Sequence, residues 1–231
     1  MSLAALRRDL RRVSSPKRAA INRWFFKTGK GEYGEGDVFM GVSMPDLRAV
    51  VRRHRDLPLA DVKRLLASKI HEERMAALVL LTLKYPDSPD EIYRFYLAYT
   101  DRINNWDLVD VSAPGIVGAY LLTHPRTILD RLARSKNLWE RRIAIVSTQQ
   151  LIRNGQYKDT LRLAKILLPD RHDLTHKATG WMLREVGKKD IKALRGFLKT
   201  HAGRMPRTML RYAIERMTPE ERLRWMRIKP V

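Results

Sequence analysis

Apolar residues recur at helical spacing along nearly the whole chain, and no stretch alternates as a half-buried strand would. Ala4, Leu6, Leu10 and Val13 mark a first helix whose other side carries Arg7, Arg8, Arg11 and Arg12. Ser15 followed by Pro16 is a cap and first-position pair, so a second helix follows over 19–26. From Pro45 the spacing predicts helices over 45–54, 59–67, 71–83, 89–103, 106–122 and 127–133. It continues with 138–152, 157–168, 174–186, 191–201, 206–217 and 219–228. Ser88 before Pro89, Thr218 before Pro219, and Gly155 and Gly203 after helical runs support the breaks.

The helices carry a register. One of each pair opens at His71, Trp106, Leu138, Thr175 and Met205, so starts recur about every 30 to 37 residues, the range of two-helix repeats. Arg74, Arg142, Lys177 and Arg207 each put a base at the head of an apolar stripe. Stacked repeats would line these helices side by side on one curved face, and the bases would make a continuous positive groove. Any single Lys or Arg is ordinarily a solvated face. The register gives these a common side: Lys177, Trp181 and Arg184 share a face by their spacing, as do Arg207 and Arg211. A chain of 231 residues suffices for one large domain or two small ones. The expectation is an all-α helical-repeat solenoid with a concave basic groove, spanning 1–231 as a single domain.

Charge sharpens this picture. Lys and Arg number 46 against 25 Asp and Glu, a net charge of +21 spread along the chain, which fits a folded surface that meets a polyanion. There are no cysteines, which excludes a disulfide framework, a thiolate metal site and a cysteine nucleophile, and agrees with a reducing compartment. The opening MSLAALRRDLRRVSS places charges inside its apolar pattern and lacks the core of a secretory signal. The longest apolar run, 76–83 with one Thr, is too short to cross a bilayer. A soluble cytoplasmic protein is expected, associated with the nucleoid if bacterial.

Several motifs are weaker than their letters. Gly29, Gly31 and Gly34 spell GxGxxG, but no strand precedes them. A flexible loop over 27–43 offering Lys27 and Lys30 to phosphates is the better reading. His71-Glu72-Glu73-Arg74 starts like a zinc motif, yet Met75 stands where the second His must fall. His172 and His176 flank Asp173, which reads as a helix cap more readily than as part of a metal site. No serine has an evident triad, and no metal or cofactor is expected.

One stretch, RINNWDLVDVSAPGIVG from Arg102, carries more. Trp106 and Asp110 are four apart and share a helix face; Asn104 or Asn105 can cap that helix, with Asp107 in its first turn. Pro114, four beyond Asp110, predicts a kink beside the carboxylate. Taken alone this is a core Trp and a solvated Asp. Trp139, three before Arg142, reads as a core indole under an exposed guanidinium, and Trp181 is either core or site. In the stacked register, Trp106, Asp110, Arg142 and Trp181 fall in three adjacent repeats on one side. A carboxylate facing a polyanion weakens binding, so it is retained more readily for chemistry than for grip.

Five runs carry a resemblance over most of the chain: FFKTGKGEYGEGDVFMGV from Phe25, NNWDLVDVSAP from Asn104, LWERRIAIVST from Leu138, HDLTHKATGWMLREVGK from His172 and MPRTMLRYAIER from Met205. In them the chain resembles the AlkD-like DNA alkylation repair family, HEAT-like repeat DNA glycosylases that remove cationic alkylated purines without enclosing a flipped base. The resemblance implies an active site of Trp106, Asp110, Arg142 and Trp181, with Arg184 and Arg48 at the DNA backbone. It implies duplex DNA containing alkylated purines as the partner, no membrane, no metal or cofactor, and a monomer. Lys177, Arg207 and Arg211 are further candidate DNA contacts from the register. The rival readings are a non-catalytic helical-repeat module that binds nucleic acid, and a protein-binding scaffold.

Overall fold

The computed structural model describes residues 2–229, which are all-helical: fourteen α-helices and, among the described residues, no strand beyond one isolated bridge between Val38 and Ile70. No helix among them is long and apolar enough to cross a membrane. The chain divides into two compact units, Met1–Ser112 and Ala113–Val231.

The first unit holds α1 (Leu3–Arg12), α2 (Pro16–Phe25), α3 (Met44–Arg53), α4 (Leu59–Leu66), α5 (His71–Lys84), α6 (Pro89–Ala98) and α7 (Trp106–Ser112). Ser15 caps α2 through the Arg18 N–H with Pro16 in the first turn, as the Ser-Pro pair predicts. α5 is the centre: α3, α4, α6 and α7 pack around it, and α1 packs on α3. Its residues from Met75 to Leu81 are apolar on every side and all buried, which is the only stable place for a helix without a polar face. Leu47, Val50 and Val51 of α3 and Val62, Leu65 and Leu66 of α4 complete the core, each worth about 1.5–3 kcal/mol of burial.

The second unit opens on a π-helical turn, Pro114–Gly118. Proline has no N–H to close an α-helical bond back to the Asp110 carbonyl, so α7 stops at Ser112 instead of running to 122. The turn closes instead with the wider bond of the Gly118 N–H to the Ala113 carbonyl, 2.9 Å. The expected disturbance at Pro114 is thus a change of helix type. Then follow α8 (Thr127–Ala133), α9 (Leu138–Arg153), α10 (Lys158–Ile166), α11 (Asp173–Lys189), α12 (Ile191–His201), α13 (Arg207–Ala213) and α14 (Pro219–Met226).

Within this unit the repeat register is plain. The π turn, α9, α11 and α13 pack one against the next, while α8, α10 and α12 fill a second row against them. Two glycines permit the close approaches in the first row. A Cβ on Gly118 would sit 2.2 Å from the Ser147 carbonyl oxygen, and one on Gly180 would sit 2.5 Å from that of Met209. Leu183, Phe197, Leu198, Met209, Leu210 and Trp225 form the distal core. α6 and α13 end a few residues short of their apolar pattern, α6 because Tyr99 leaves helical geometry for a short 3-10 turn, Thr100–Arg102.

Candidate functional site

The first-unit candidates sit at the start of α7. Asn105 supplies the cap, its side-chain oxygen accepting from the Trp106 N–H at 2.8 Å, and Asp107 lies in the first turn. Trp106 and Asp110 are therefore one turn apart on the same helix, and both are half-buried. The indole stacks on Phe26 (centroids 5.3 Å) and takes the edge of Phe25 (5.9 Å), while its Nε1–H donates to the Tyr33 hydroxyl at 3.3 Å. Burial pushes the Tyr96 phenol well above its ordinary range against the pull of its bond to Ser112, and the Asp110 charge adds to the push.

Beneath the indole lies a charged network that no local motif in the sequence marks. The His71 imidazole stacks on Phe39 (4.6 Å) and is bonded at both nitrogens, Nδ1 to Asp37 at 3.1 Å and Nε2 to Asp107 at 2.8 Å. Asp37 also accepts from the Arg74 guanidinium at 2.6 Å. Burial alone would lower the His71 pKa, but the bonds to Asp107 and Asp37 outweigh it and push the imidazolium up to about 9. Burial pushes Asp37 up, and its bonds to His71 and Arg74 hold it below the usual carboxylate range instead. Asp107, read as a helix-dipole residue, thus also anchors α7 to the core of the unit.

The same HEER run ties down the glycine loop. Glu72 accepts from three consecutive backbone N–H groups, Met40 at 2.9 Å, Gly41 at 2.7 Å and Val42 at 3.3 Å, and Glu73 takes a forked bond from Arg7. The Val38 bridge to Ile70 fixes the loop again. The loop expected to be flexible over 27–43 is therefore pinned along its second half. The signal was in the sequence: a helix apolar on all sides must bury the charges in its first turn, and buried charges need partners.

The second-unit candidates lie on two adjoining helices. Trp139 is buried as expected, but Arg142 of α9 is also buried, only 5% exposed, and donates to the Leu174 carbonyl at 2.8 Å in the first turn of α11. The exposed guanidinium expected there is replaced by one that ties α9 to α11. Lys177, Trp181 and Arg184 share a face of α11. Trp181 is half-buried, Lys177 pairs with Asp173 at 2.7 Å, and Arg184 pairs with Glu215. His172, not Asp173, caps α11, its Nδ1 accepting from the Leu174 N–H at 3.1 Å, and His176 meets the Asp170 carbonyl at 2.6 Å.

The remaining cations differ in their surroundings. Arg207 turns its guanidinium to the carbonyls of Met226 and Ile228 and so closes the end of α14, whereas Arg211 is exposed. Arg48 is exposed on α3 and, with Arg52, rims a cleft of about 250 Å³ floored by Val79, Leu83 and Val111. The structure thus brings Trp106 and Asp110 together in the first unit, and Arg142, Lys177, Trp181 and Arg184 onto α9 and α11 in the second.

The family model described as DNA alkylation repair enzyme matches residues 6–217. Among curated proteins no match is found. A solved structure described as a predicted DNA alkylation repair enzyme from Enterococcus faecalis has the same fold, with a TM-score of 0.74 and 19% sequence identity, covering 89% of this chain and 97% of that one. With a family model spanning nearly all of its helices, this chain belongs to the DNA alkylation repair enzyme family.

Proposed function

We propose that the protein is a monofunctional DNA glycosylase that hydrolyses the N-glycosidic bond of cationic N3- or N7-alkylated purines in duplex DNA, without base flipping, as the first step of base excision repair. The observation that carries this reading is the α7 pair: a half-buried carboxylate, Asp110, one helical turn from an indole held on Phe26 and Phe25. A net charge of +21 supports DNA as the partner, and so does membership of a repair family.

An alkylated purine already carries positive charge and leaves with the glycosidic electron pair as a neutral base. The species that needs help is the deoxyribose, which turns cationic as the C1′–N bond stretches. Ionised Asp110 offsets that charge and orients a water whose oxygen bonds to C1′, the proton passing to the carboxylate and then to solvent. Trp106 adds cation-π attraction to the growing charge, and Trp181 is assigned the same role on the sugar. Arg142 is assigned a phosphate beside the lesion, a role its bond to the Leu174 carbonyl would preorganise. Lys177, Arg184, Arg48, Arg207 and Arg211 are assigned to the DNA backbone, Lys177 and Arg184 after exchanging their Asp173 and Glu215 partners for phosphate, and Arg207 after giving up its bonds to the Met226 and Ile228 carbonyls. No lysine nucleophile enters, so the strand is left uncut.

The test is incubation of pure protein with methylated duplex, followed by chromatography of the released bases. Release of 7-methylguanine or 3-methyladenine, with an alkali-labile but unbroken strand, is expected. Binding without release would overturn the enzyme reading in favour of a nucleic-acid-binding module.

A further inference from the structure

The last turn of α2 leaves its largest side chains in solvent. Trp24 is 81% exposed and Phe25 52%, and they wall an open cleft of about 540 Å³ between α2 and the glycine loop. Arg23 and Lys27 line the same cleft. Glu32 lies on it too, its carboxylate taken up by the Gly29 N–H at 2.8 Å. α2 carries Lys17, Arg18 and Arg23 and no acidic residue.

Lys27 has a backbone that asks for a different residue. The helix closes with the Lys27 N–H on the Trp24 carbonyl and the Thr28 N–H on the Arg23 carbonyl, both 3.2 Å, and this puts Lys27 in the left-handed region at φ 50. Glycine closes such a helix end without strain, yet lysine stands here, the one non-glycine residue with positive φ among the described residues. Lys27 lines the cleft at this position.

We propose that this cleft is a nucleotide subsite: where the bound DNA already carries an unpaired base, as at a bulge, that base stacks on Trp24, and the adjoining phosphate is held by Arg23 and Lys27. Every base offers a π-face to an exposed indole, and Arg23 and Lys27 against the Glu32 carboxylate leave one net positive charge for one backbone phosphate. Phe25 links the subsite to the candidate site, since its ring also makes the T-shaped contact with Trp106. The subsite rests on the reading that the protein binds DNA, but it needs no catalysis.

Fluorescence anisotropy of the full chain on a fully paired duplex and on the same duplex with one bulged thymidine tests it. Trp24→Ala is expected to weaken the bulged duplex about tenfold and the paired one less than about twofold, with Trp24→Phe restoring most of the difference. Lys27→Gly is expected to weaken the bulged duplex about threefold or more without lowering the melting temperature. Equal effects of Trp24→Ala on both duplexes, or none on either, would overturn the subsite while the unaltered protein's binding to paired duplex still upholds the DNA reading. Failure of the unaltered protein to bind either duplex would overturn both.

Discussion

Deprotonating His71 should unfasten the first unit. The unfolded chain loses this proton near 6.5, while in the fold Asp107 and Asp37 hold it to about 9. At a pH between the two, the folded state keeps a proton that the unfolded state has released. The linkage therefore stabilises the fold fully below 6.5 and is lost as pH rises through 9. Across that window it amounts to about 3 kcal/mol, roughly 6–12 °C of melting temperature for a chain of this size. The assay is urea unfolding followed by circular dichroism at closely spaced pH values, on the unaltered protein and on His71→Gln. Glutamine can still bond a carboxylate but has no proton to lose in this range. The unaltered protein should lose stability from pH 6.5 to 9 and the variant should lack that slope. A flat curve for the unaltered protein, or the same slope in both, refutes the claim that an imidazolium joins α5, α7 and the loop.

Glu72→Gln replaces an acceptor of three backbone N–H groups by a side chain that must turn an amide toward one of them. It should cost about 2 kcal/mol in denaturant unfolding, and an unchanged midpoint would show that the loop is held otherwise. Gly180→Ala drives a methyl to 2.5 Å from the Met209 carbonyl oxygen, and α11 and α13 should separate at a cost of about 1–3 kcal/mol in thermal unfolding. Wild-type stability of that variant would mean that the two helices do not need their close approach. Arg48→Gln should weaken duplex binding evenly across sequences and reduce the slope of log affinity against log salt by about one, whereas an unchanged slope removes Arg48 from the DNA contacts.

The helices were legible because their periods are strong: α8 and α12 fall where the apolar spacing puts them, and α9, α11 and α13 pack in the order the repeat register implies. Pro114 was legible as a disturbance but not as a π turn, since the ring removes one bond and says nothing of which wider bond replaces it. The network under Trp106 was not legible, because Asp37, His71 and Asp107 are brought together across distant parts of the chain and no local spacing records it. The same holds for Arg142. Its distance from Trp139 predicted an exposed guanidinium, while the acceptor that buries it, the Leu174 carbonyl, lies on the next long helix. At Asp173 two cap formers stand side by side, and only the backbone decides that His172 takes the cap.

In the proposed reaction one ionised carboxylate on α7 stabilises a sugar as it becomes cationic. Single-turnover excision of 7-methylguanine from duplex DNA by Asp110→Asn, measured beside its DNA affinity, isolates that charge. The amide keeps the shape and removes the charge, so excision should slow by about 10²–10³ while binding is retained or tightens. Excision by Asp110→Asn at the rate of the unaltered protein would show that the charge has no part in the reaction.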